Sequence, residues 1–245
     1  MQAEQSLQRS SLVVTTVTAF MAPFMLSSVN VALPVLQAEF AADAVLLGWI
    51  ATAYLLATAM VLVPAGKFAD IHGRKKVFLT GIAVYTLGSF FVILAPNIWW
   101  FLATRAVQAL GAALFVTTSM AIITSVFPPE KRGRGIGILV TAVYAGLASG
   151  PFAGGLLTQH FGWRSLFWVM LVLGTGSLLL AFRFLRGEWA EAREEKFDLQ
   201  GSLVYAVSIF CLVYGGTLMP ERLAWLLVPS GLLGLFLFYR LQKKA

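Results

Sequence analysis

Long apolar runs alternate with short charged connections along the whole chain. Eight such runs occur, at residues 12–33, 45–64, 77–95, 98–127, 136–157, 166–185, 199–218 and 224–239. A helix of about 20 apolar residues crosses the ~30 Å hydrocarbon core of a bilayer. The pattern therefore predicts an all-α integral membrane protein with about eight transmembrane helices.

The composition excludes a soluble protein. Hydrophobic residues make up 59% of the 245 residues and charged residues 12%, whereas soluble domains are roughly 45–50% apolar and about 25% charged. The first apolar run is too long for the core of a secretory signal, and its leader carries Glu4 beside Arg9. We therefore interpret this run as the first span.

The placement of the cations predicts the topology. The net charge is +7, and all but three of the 18 Lys and Arg residues fall on one side if the N-terminus is inside. The exceptions are Arg105, Arg164 and Arg222. This bias follows the positive-inside rule and places both termini in the cytoplasm, with the spans in the cell (inner) membrane. The basic excess thus reflects contact with the lipid bilayer, and we expect no nucleic-acid partner.

The longest internal link divides the chain into six spans and then two. Residues 186–198 read RGEWAEAREEKFD, which predicts a short helix on the membrane surface with Trp189 and Phe197 at the interface and Asp198 capping span 7. The expected units are a six-helix domain (1–186), a cytoplasmic amphipathic linker (187–198), and two further spans with a basic tail (199–245). The offset of the charged loops favours 3+3 inverted repeats in the first unit.

Residues 66–76 (GKFADIHGRKK) form a charged connection between spans 2 and 3. Gly66 and Gly73 permit a tight reversal, and the spacing of Asp70 and Arg74 lets these side chains interact. We predict a conformational latch that forms in one state and releases in another. The alternative is a generic cationic anchor.

Small residues follow one face of span 5. Ala142, Gly146, Gly150 and Gly154 recur every four residues, and Pro151 removes a backbone donor. Such a face lets a second helix approach closely. The alternative to a functional interface is an ordinary packing face.

Polar residues in spans 1 and 4 are candidates for a cavity wall. An arginine at the centre of a span costs about 2.5–3.5 kcal/mol and usually faces protein or a wet cavity. Arg105 and Gln108 share one face of span 4, and Ser27 and Asn30 share one face of span 1. The alternative for Arg105 is a structural role, bound to backbone carbonyls.

These motifs resemble those of the major facilitator superfamily. The connection 66–76 resembles the loop between spans 2 and 3, and GLASGPFAGG at 146–155 resembles the motif typical of its antiporters. The Val-Asn-Val-Ala-Leu-Pro ending of span 1 resembles the drug:proton antiporter branch with fourteen spans. Three positions depart from the family pattern: Ile71, Ala109 and Met25, which replace a basic residue, a glycine and an aspartate.

The resemblance implies the N-terminal six-helix domain and the two extra helices of such a transporter, with the C-terminal domain absent. It implies alternating access for small lipophilic or amphiphilic compounds. Ser27, Asn30, Arg105 and Gln108 would line the substrate cavity, and Gly66, Asp70, Gly73 and Arg74 would form the latch. Gly146, Gly150, Pro151 and Gly154 would form the interface with a second half.

The acidic residues and both histidines fall in loops or tails. Because proton coupling needs a titrating group in the pathway, we expect no proton carrier within these spans. No pattern of catalytic, cofactor-binding or metal-ligating residues occurs, so we expect neither an enzyme nor a cofactor.

Three hypotheses stay open. The chain is one component of a split transporter that needs a second half, either a separate chain or a second copy. Alternatively, it is a transporter-derived structural or assembly subunit that no longer transports. The third hypothesis is a truncated product of a fourteen-span gene.

Overall fold

The computed structural model of the protein describes residues 2–185 and 187–243. Within these ranges the chain forms eight helices, each long and apolar enough to cross a membrane. They are α1 (Gln2–Phe40), α2 (Ala44–His72), α3 (Arg74–Ile93), α4 (Ile98–Val126), α5 (Pro129–Phe161), α6 (Arg164–Phe184), α7 (Leu199–Thr217) and α8 (Ala224–Gln242). The predicted all-helical membrane fold is confirmed. Arg186, at the predicted domain boundary, and Lys244 of the predicted basic tail lie outside the described residues.

The helices extend beyond the apolar runs, and this changes the connection between α2 and α3. Residues 66–72, predicted as a loop, form the last two turns of α2, and α3 begins at Arg74. Only Gly73 separates the two helices. Its φ of 109° lies in a region that glycine tolerates and other residues rarely adopt, so a single glycine makes the whole reversal.

The first six helices pack as two equivalent sets of three. In this arrangement α1 is equivalent to α4, α2 to α5, and α3 to α6. The contact between α1 and α5 then corresponds to that between α4 and α2. In the same way, the α3–α4 contact corresponds to α6–α1, and the α2–α3 contact to α5–α6. Exchanging α1, α2 and α3 with α4, α5 and α6 therefore reproduces the contact pattern. Two structurally equivalent three-helix units produce such a pattern, which supports the predicted 3+3 repeat.

The α1–α5 seam occupies the small-residue face of α5. A Cβ added at Gly150 would lie 2.6 Å from the Cβ of Ser27, and one at Gly154 would lie 2.6 Å from the Cβ of Ser28. Gly146 likewise lies against the backbone of α1 at Phe20. The expectation that these three glycines face a second half is therefore wrong in this conformation.

Serine hydroxyls of α1 complete this seam. Ser27 Oγ donates to the carbonyl oxygen of Leu147 (2.9 Å), and Ser28 Oγ donates to that of Gly150 (3.2 Å). Small residues let helix backbones approach closely, and hydroxyls then bond across the contact. The partner of the glycine face is thus a neighbouring helix of the same chain. Pro151 points away from this seam and is exposed, so its predicted place at an interface with a second half stays a prediction.

A polar clamp joins three helices at the end of the bundle where α1 ends. Glu39 accepts hydrogen bonds from the indole Nε1 of Trp163 (2.6 Å) and from Nη1 of Arg164 (2.7 Å). Arg164 also donates from Nε and Nη2 to the carbonyl oxygens of Ile93 and Ala95 at the end of α3. The clamp fixes α1, α3 and α6 to one another at this end.

The last two helices form a hairpin that attaches to the six-helix unit through α2. Tyr205 Oη donates to the carbonyl oxygen of Ala59 (3.2 Å), and the rings of Trp49 and Tyr214 lie 5.7 Å apart. Asp198 caps α7 by accepting from the backbone N–H of Gly201 (2.8 Å), which confirms the predicted N-cap. The proposed domain boundaries stay a prediction.

We predict that Gly150→Leu destabilises the bundle because the added side chain must enter the closed α1–α5 seam. Overpacking of this kind costs roughly 1–3 kcal/mol. The matched control is Gly137→Leu on the same helix, where an added Cβ meets nothing within 4 Å. Thermal unfolding of the purified protein in detergent should show a lower midpoint for Gly150→Leu alone. Equal midpoints for the two variants would contradict the seam.

Candidate functional site

Helices α1, α2, α4 and α5 enclose a cavity of about 330 Å³. Its wall is mostly apolar, with Leu26 on α1, Val116 and Met120 on α4, and Val143 and Leu147 on α5. Several of these side chains are exposed on the outside of the chain. The cavity is therefore open on a face that α4 and α5 form.

The hydroxyl groups of the wall donate hydrogen bonds to backbone carbonyls of their own helices, with one exception. Thr58 Oγ1 donates to the carbonyl oxygen of Tyr54 (2.8 Å), and Ser119 Oγ donates to that of Phe115 (2.6 Å). The hydroxyl of Tyr54 is buried and has no hydrogen-bond partner among the described residues. The cavity thus offers a ligand mainly apolar surface.

Arg105 lies behind Tyr54 and does not line the cavity. Its guanidinium carbon is 4.3 Å from the centroid of the Tyr54 ring, and the side chain is fully buried. Arg105 Nη1 donates to Gln108 Oε1 (2.5 Å), and Gln108 Nε2 donates to Ser89 Oγ (2.7 Å). Arg105 Nε and Nη2 have no hydrogen-bond partner among the described residues. The predicted cavity roles of Arg105 and Gln108 are therefore not met in this conformation.

The two predicted cavity residues of α1 also lie elsewhere. Ser27 faces α5, as described above, and Asn30 is exposed near the end of α1 without lining this cavity. The α1 wall is formed instead by residues such as Ala22, Pro23 and Leu26. The sequence predicted that Ser27 and Asn30 form a polar wall of the cavity, but the Ser27 hydroxyl instead bonds to α5.

The predicted latch residues do meet. Arg74 Nε donates to Asp70 Oδ1 (2.8 Å), and Arg74 Nη1 donates to Ser125 Oγ at the end of α4 (2.6 Å). Gly66 lies against α4, where an added Cβ would be 3.2 Å from Thr117 Cγ2. The cluster therefore joins the ends of α2, α3 and α4. Its action as a latch stays a prediction.

The link between α6 and α7 completes this cluster, which sequence reasoning missed. Glu188 accepts from the backbone N–H groups of Lys75 (2.8 Å) and Lys76 (3.3 Å), the first turn of α3. Glu191 accepts from Arg74 Nη1 (2.6 Å), and Glu195 forms an ion pair with Lys67. We call residues 187–197 the acidic strap.

Backbone contacts hold the strap to the same turn. The N–H of Arg74 donates to the carbonyl oxygen of Trp189 (2.7 Å), and that of Ala192 donates to the carbonyl oxygen of Asp70 (3.0 Å). A Cβ at Gly73 would lie 2.5 Å from the Glu188 carboxyl group, so Gly73 provides both the reversal and the space for the strap.

The predicted surface helix at this link is wrong. Residues 187–198 contain turns and no helix. The physical reason is competition, because the carboxylates and backbone groups of the segment bond to the α2–α3 turn instead of to one another. The signal that could have found the strap is the spacing of Glu188, Glu191 and Glu195 opposite the cations of the connection.

The sequence matches the Major Facilitator Superfamily over residues 15–241, so the chain belongs to that family of membrane transport proteins. It is 36% identical over 224 residues to the multidrug resistance protein Stp of Mycobacterium tuberculosis, covering 91% of this chain and 41% of Stp. It is 30% identical to the riboflavin transporter RibZ of Clostridioides difficile, covering 80% of this chain and 43% of RibZ.

A solved structure supports the fold alone. A crystal structure of the peptide transporter POT in complex with sulfate matches with a TM-score of 0.68 at 14% identity, over 87% of this chain and 55% of that chain. The chain thus spans less than half the length of the two curated relatives and about half of the structural neighbour.

The strap contacts predict a change in protease access. We expect Glu188→Ala to release the strap, because the first turn of α3 loses its carboxylate acceptor, an effect of roughly 1 kcal/mol or about fivefold in the open population. Trypsin should then cleave after Arg193 and Lys196 faster than in the unaltered protein. Glu221→Ala, which replaces an exposed glutamate between α7 and α8, is the control, because it leaves the residues around both cleavage sites unchanged. Unchanged cleavage of Glu188→Ala would refute the docking.

Arg105 yields a prediction about stability. Replacing a buried ion pair by apolar side chains of similar volume is often neutral or stabilising, by about 1–4 kcal/mol, and we expect the same direction for a buried charge that lacks an ionic partner. Since Arg105 has no acidic partner among the described residues, Arg105→Met should raise the thermal unfolding midpoint in detergent. Arg164→Met, which removes a cation paired with Glu39, should lower it. A fall for both variants would show that Arg105 contributes to stability.

Proposed function

We propose that this chain is one half of a drug-exporter-like transporter that moves small lipophilic or amphiphilic compounds across the cell membrane by alternating access. The observation that carries this proposal is the apolar cavity between α1, α2, α4 and α5. Family membership supports transport as the class of activity. The name of Stp, a multidrug resistance protein, supports export.

The chemistry of the cavity favours lipophilic ligands. Small-molecule sites usually occupy about 300–1,000 Å³ and combine apolar walls with a few polar groups. The volume of about 330 Å³ lies at the low end of this range. Because only one side of the cavity comes from this chain, the complete site would be larger.

A second half would close the open face of this cavity. The apolar side chains of Val116, Met120 and Val140 are exposed there, and transporters of this class bind their substrates between two halves that rock about the site. The relatives are more than twice as long as the matched region, which supports such a partner. Either a separate chain or a second copy of this chain could cover the open face.

The acidic strap and the α2–α3 turn would form the latch of this transporter. Asp70 and Arg74 join α2 to α3, and Glu188 and Glu191 tie both to the link that follows α6. The side chain of Arg74 is buried, but solvent reaches the carboxylates of Asp70 and Glu191, and such access limits the energy of an ion pair. Such contacts hold one conformation without preventing its release.

The distribution of charge supports the proposed orientation. The start of α1, the α2–α3 turn, the α4–α5 turn and the acidic strap lie at one end of an up-and-down bundle and carry most of the cations. We call this end the basic end and place it in the cytoplasm.

A bulky side chain in the cavity should block transport. Val116→Trp fills space at the cavity wall, whereas Val107→Trp adds the same bulk nine residues earlier, on the opposite face of α4. The two valines are 40% and 45% exposed, respectively, which makes them a matched pair. In vesicles that contain the assembled protein, extrusion of a lipophilic fluorescent dye should fall to background for Val116→Trp and persist for Val107→Trp.

The same assay separates this proposal from its alternative. A transporter-derived structural or assembly subunit would leave dye movement at background in the unaltered protein and in both variants. Equal transport by the two tryptophan variants would instead reject the cavity as the substrate site while retaining transport.

A further inference from the structure

The α1–α5 seam opens into a second cavity at the basic end of the bundle. This cavity, of about 450 Å³, lies between Arg9 and Leu12 on α1 and Lys131, Arg134 and Ile138 on α5. It shares no lining residue with the apolar cavity described above. None of the proposed transport steps uses it.

The sequence of α5 explains why the helices part here. Over Gly146, Gly150 and Gly154 the two backbones are in close contact. Towards the start of α5 the same face carries Ile138 and Lys131, whose side chains hold the helices apart. Of the three glycines in this region, Gly135 faces α4, because its added Cβ would lie 2.8 Å from Ile123 Cγ2, and Gly133 and Gly137 have no neighbour within 4 Å of an added Cβ.

Three cations surround the opening. Arg9, Lys131 and Arg134 line it, and none of them takes part in an ion pair among the described residues. Glu130, at the start of α5, is the nearest acid in sequence and does not line the cavity. The cavity therefore carries a net positive charge, to which the N-terminal end of the α5 dipole adds.

A groove on the other side of α1 shares one of these cations. It measures about 240 Å³ and lies between α1 and α6, where Val13, Val14, Leu180 and Phe184 form an apolar wall with Arg9 at its edge. Arg9 thus stands between a cationic cavity and an apolar groove. A ligand that fits both would carry an anionic head and a hydrocarbon chain.

We infer that this cationic cavity binds the phosphate headgroup of an anionic phospholipid, with an acyl chain along the α1–α6 groove. Arg9, Lys131 and Arg134 neutralise the phosphate, and Leu12 and Ile138 contact the glycerol region. Basic pockets between transmembrane helices at this level are suited to acidic headgroups. The position at the end of the spans places the cavity at the height of the headgroups. A free phosphate would match the charges but leave the groove without an occupant.

Bound lipid would fasten the open end of the seam. The headgroup joins the starts of α1 and α5, the region where glycine contacts are absent. Since a ligand that binds only the folded state stabilises it, anionic lipid should raise the thermal unfolding midpoint of the protein. This effect does not depend on transport, so it tests the inference separately from the proposed function.

The test uses the protein as purified from membranes in detergent, with short-chain phosphatidylglycerol as the probe. Phosphatidylglycerol should raise the midpoint and appear as a bound adduct in native mass spectrometry, whereas phosphatidylcholine should not. The variant Arg9→Gln/Lys131→Gln/Arg134→Gln should bind about a hundredfold more weakly. The charge-matched control is Lys76→Gln/Arg193→Gln/Lys196→Gln, which alters the basic end elsewhere and should bind as the unaltered protein does.

Two further measurements distinguish a lipid from a free anion, and a loss of charge from a loss of folding. Inorganic phosphate at the same concentration should give no shift, and an equal shift would replace the lipid by a free anion and overturn the inference. The charge-retaining variant Arg9→Lys/Lys131→Arg/Arg134→Lys should keep binding, which separates lost charge from lost folding. Equal shifts with phosphatidylcholine, or full binding by the glutamine variant, would also overturn it.

Discussion

Close backbone approach between helices is the constraint on which this structure depends. In a bilayer, apolar side chains gain little by leaving lipid, so helices associate through packing and interhelical hydrogen bonds. Gly81 and Gly88 of α3 lie against α4, and Gly150 and Gly154 of α5 lie against Ser27 and Ser28 of α1. The exchange of the three-helix units does not convert one of these seams into the other. Together they position α1, α4 and α5, three of the four helices that line the apolar cavity.

The same constraint determines where polar groups are found. Arg105 is held by Gln108, which bonds to Ser89 on α3, so the guanidinium is fixed between two helices of one seam. Its stacking on Tyr54 offsets part of the cost of its burial. Because the Tyr54 ring separates this cation from the cavity, a ligand meets an apolar wall although a positive charge lies directly behind it. The apolar character of the cavity therefore depends on the position of one aromatic ring.

Different contacts join the helices at the two ends of the bundle. At one end, Glu39 holds Trp163 and Arg164, and Arg164 also bonds to carbonyl oxygens that follow α3. This clamp lies within the six-helix unit. At the basic end, the acidic strap bonds to the α2–α3 turn through partly exposed carboxylates. The basic end is also the end where the α1–α5 seam is open.

Sequence reasoning succeeded where local chemistry decides the outcome. Bilayer thickness fixed the eight spans, i,i+4 spacing brought Asp70 to Arg74, and the N-cap at Asp198 follows from its own turn. It failed where a choice among tertiary partners decides. The spacing of Gly150 shows that a helix packs there but does not show which helix, and α1 competes successfully because it offers Ser27. Arg105 and Gln108 do lie on one face of α4, as their helical spacing predicted. That spacing does not show whether the face points to a cavity or to Ser89 on α3. The acidic strap shows the same limit of sequence reasoning. Its sequence is compatible with a surface helix when the segment is considered alone. In the folded chain, the free N–H groups at the start of α3 are stronger partners for its carboxylates.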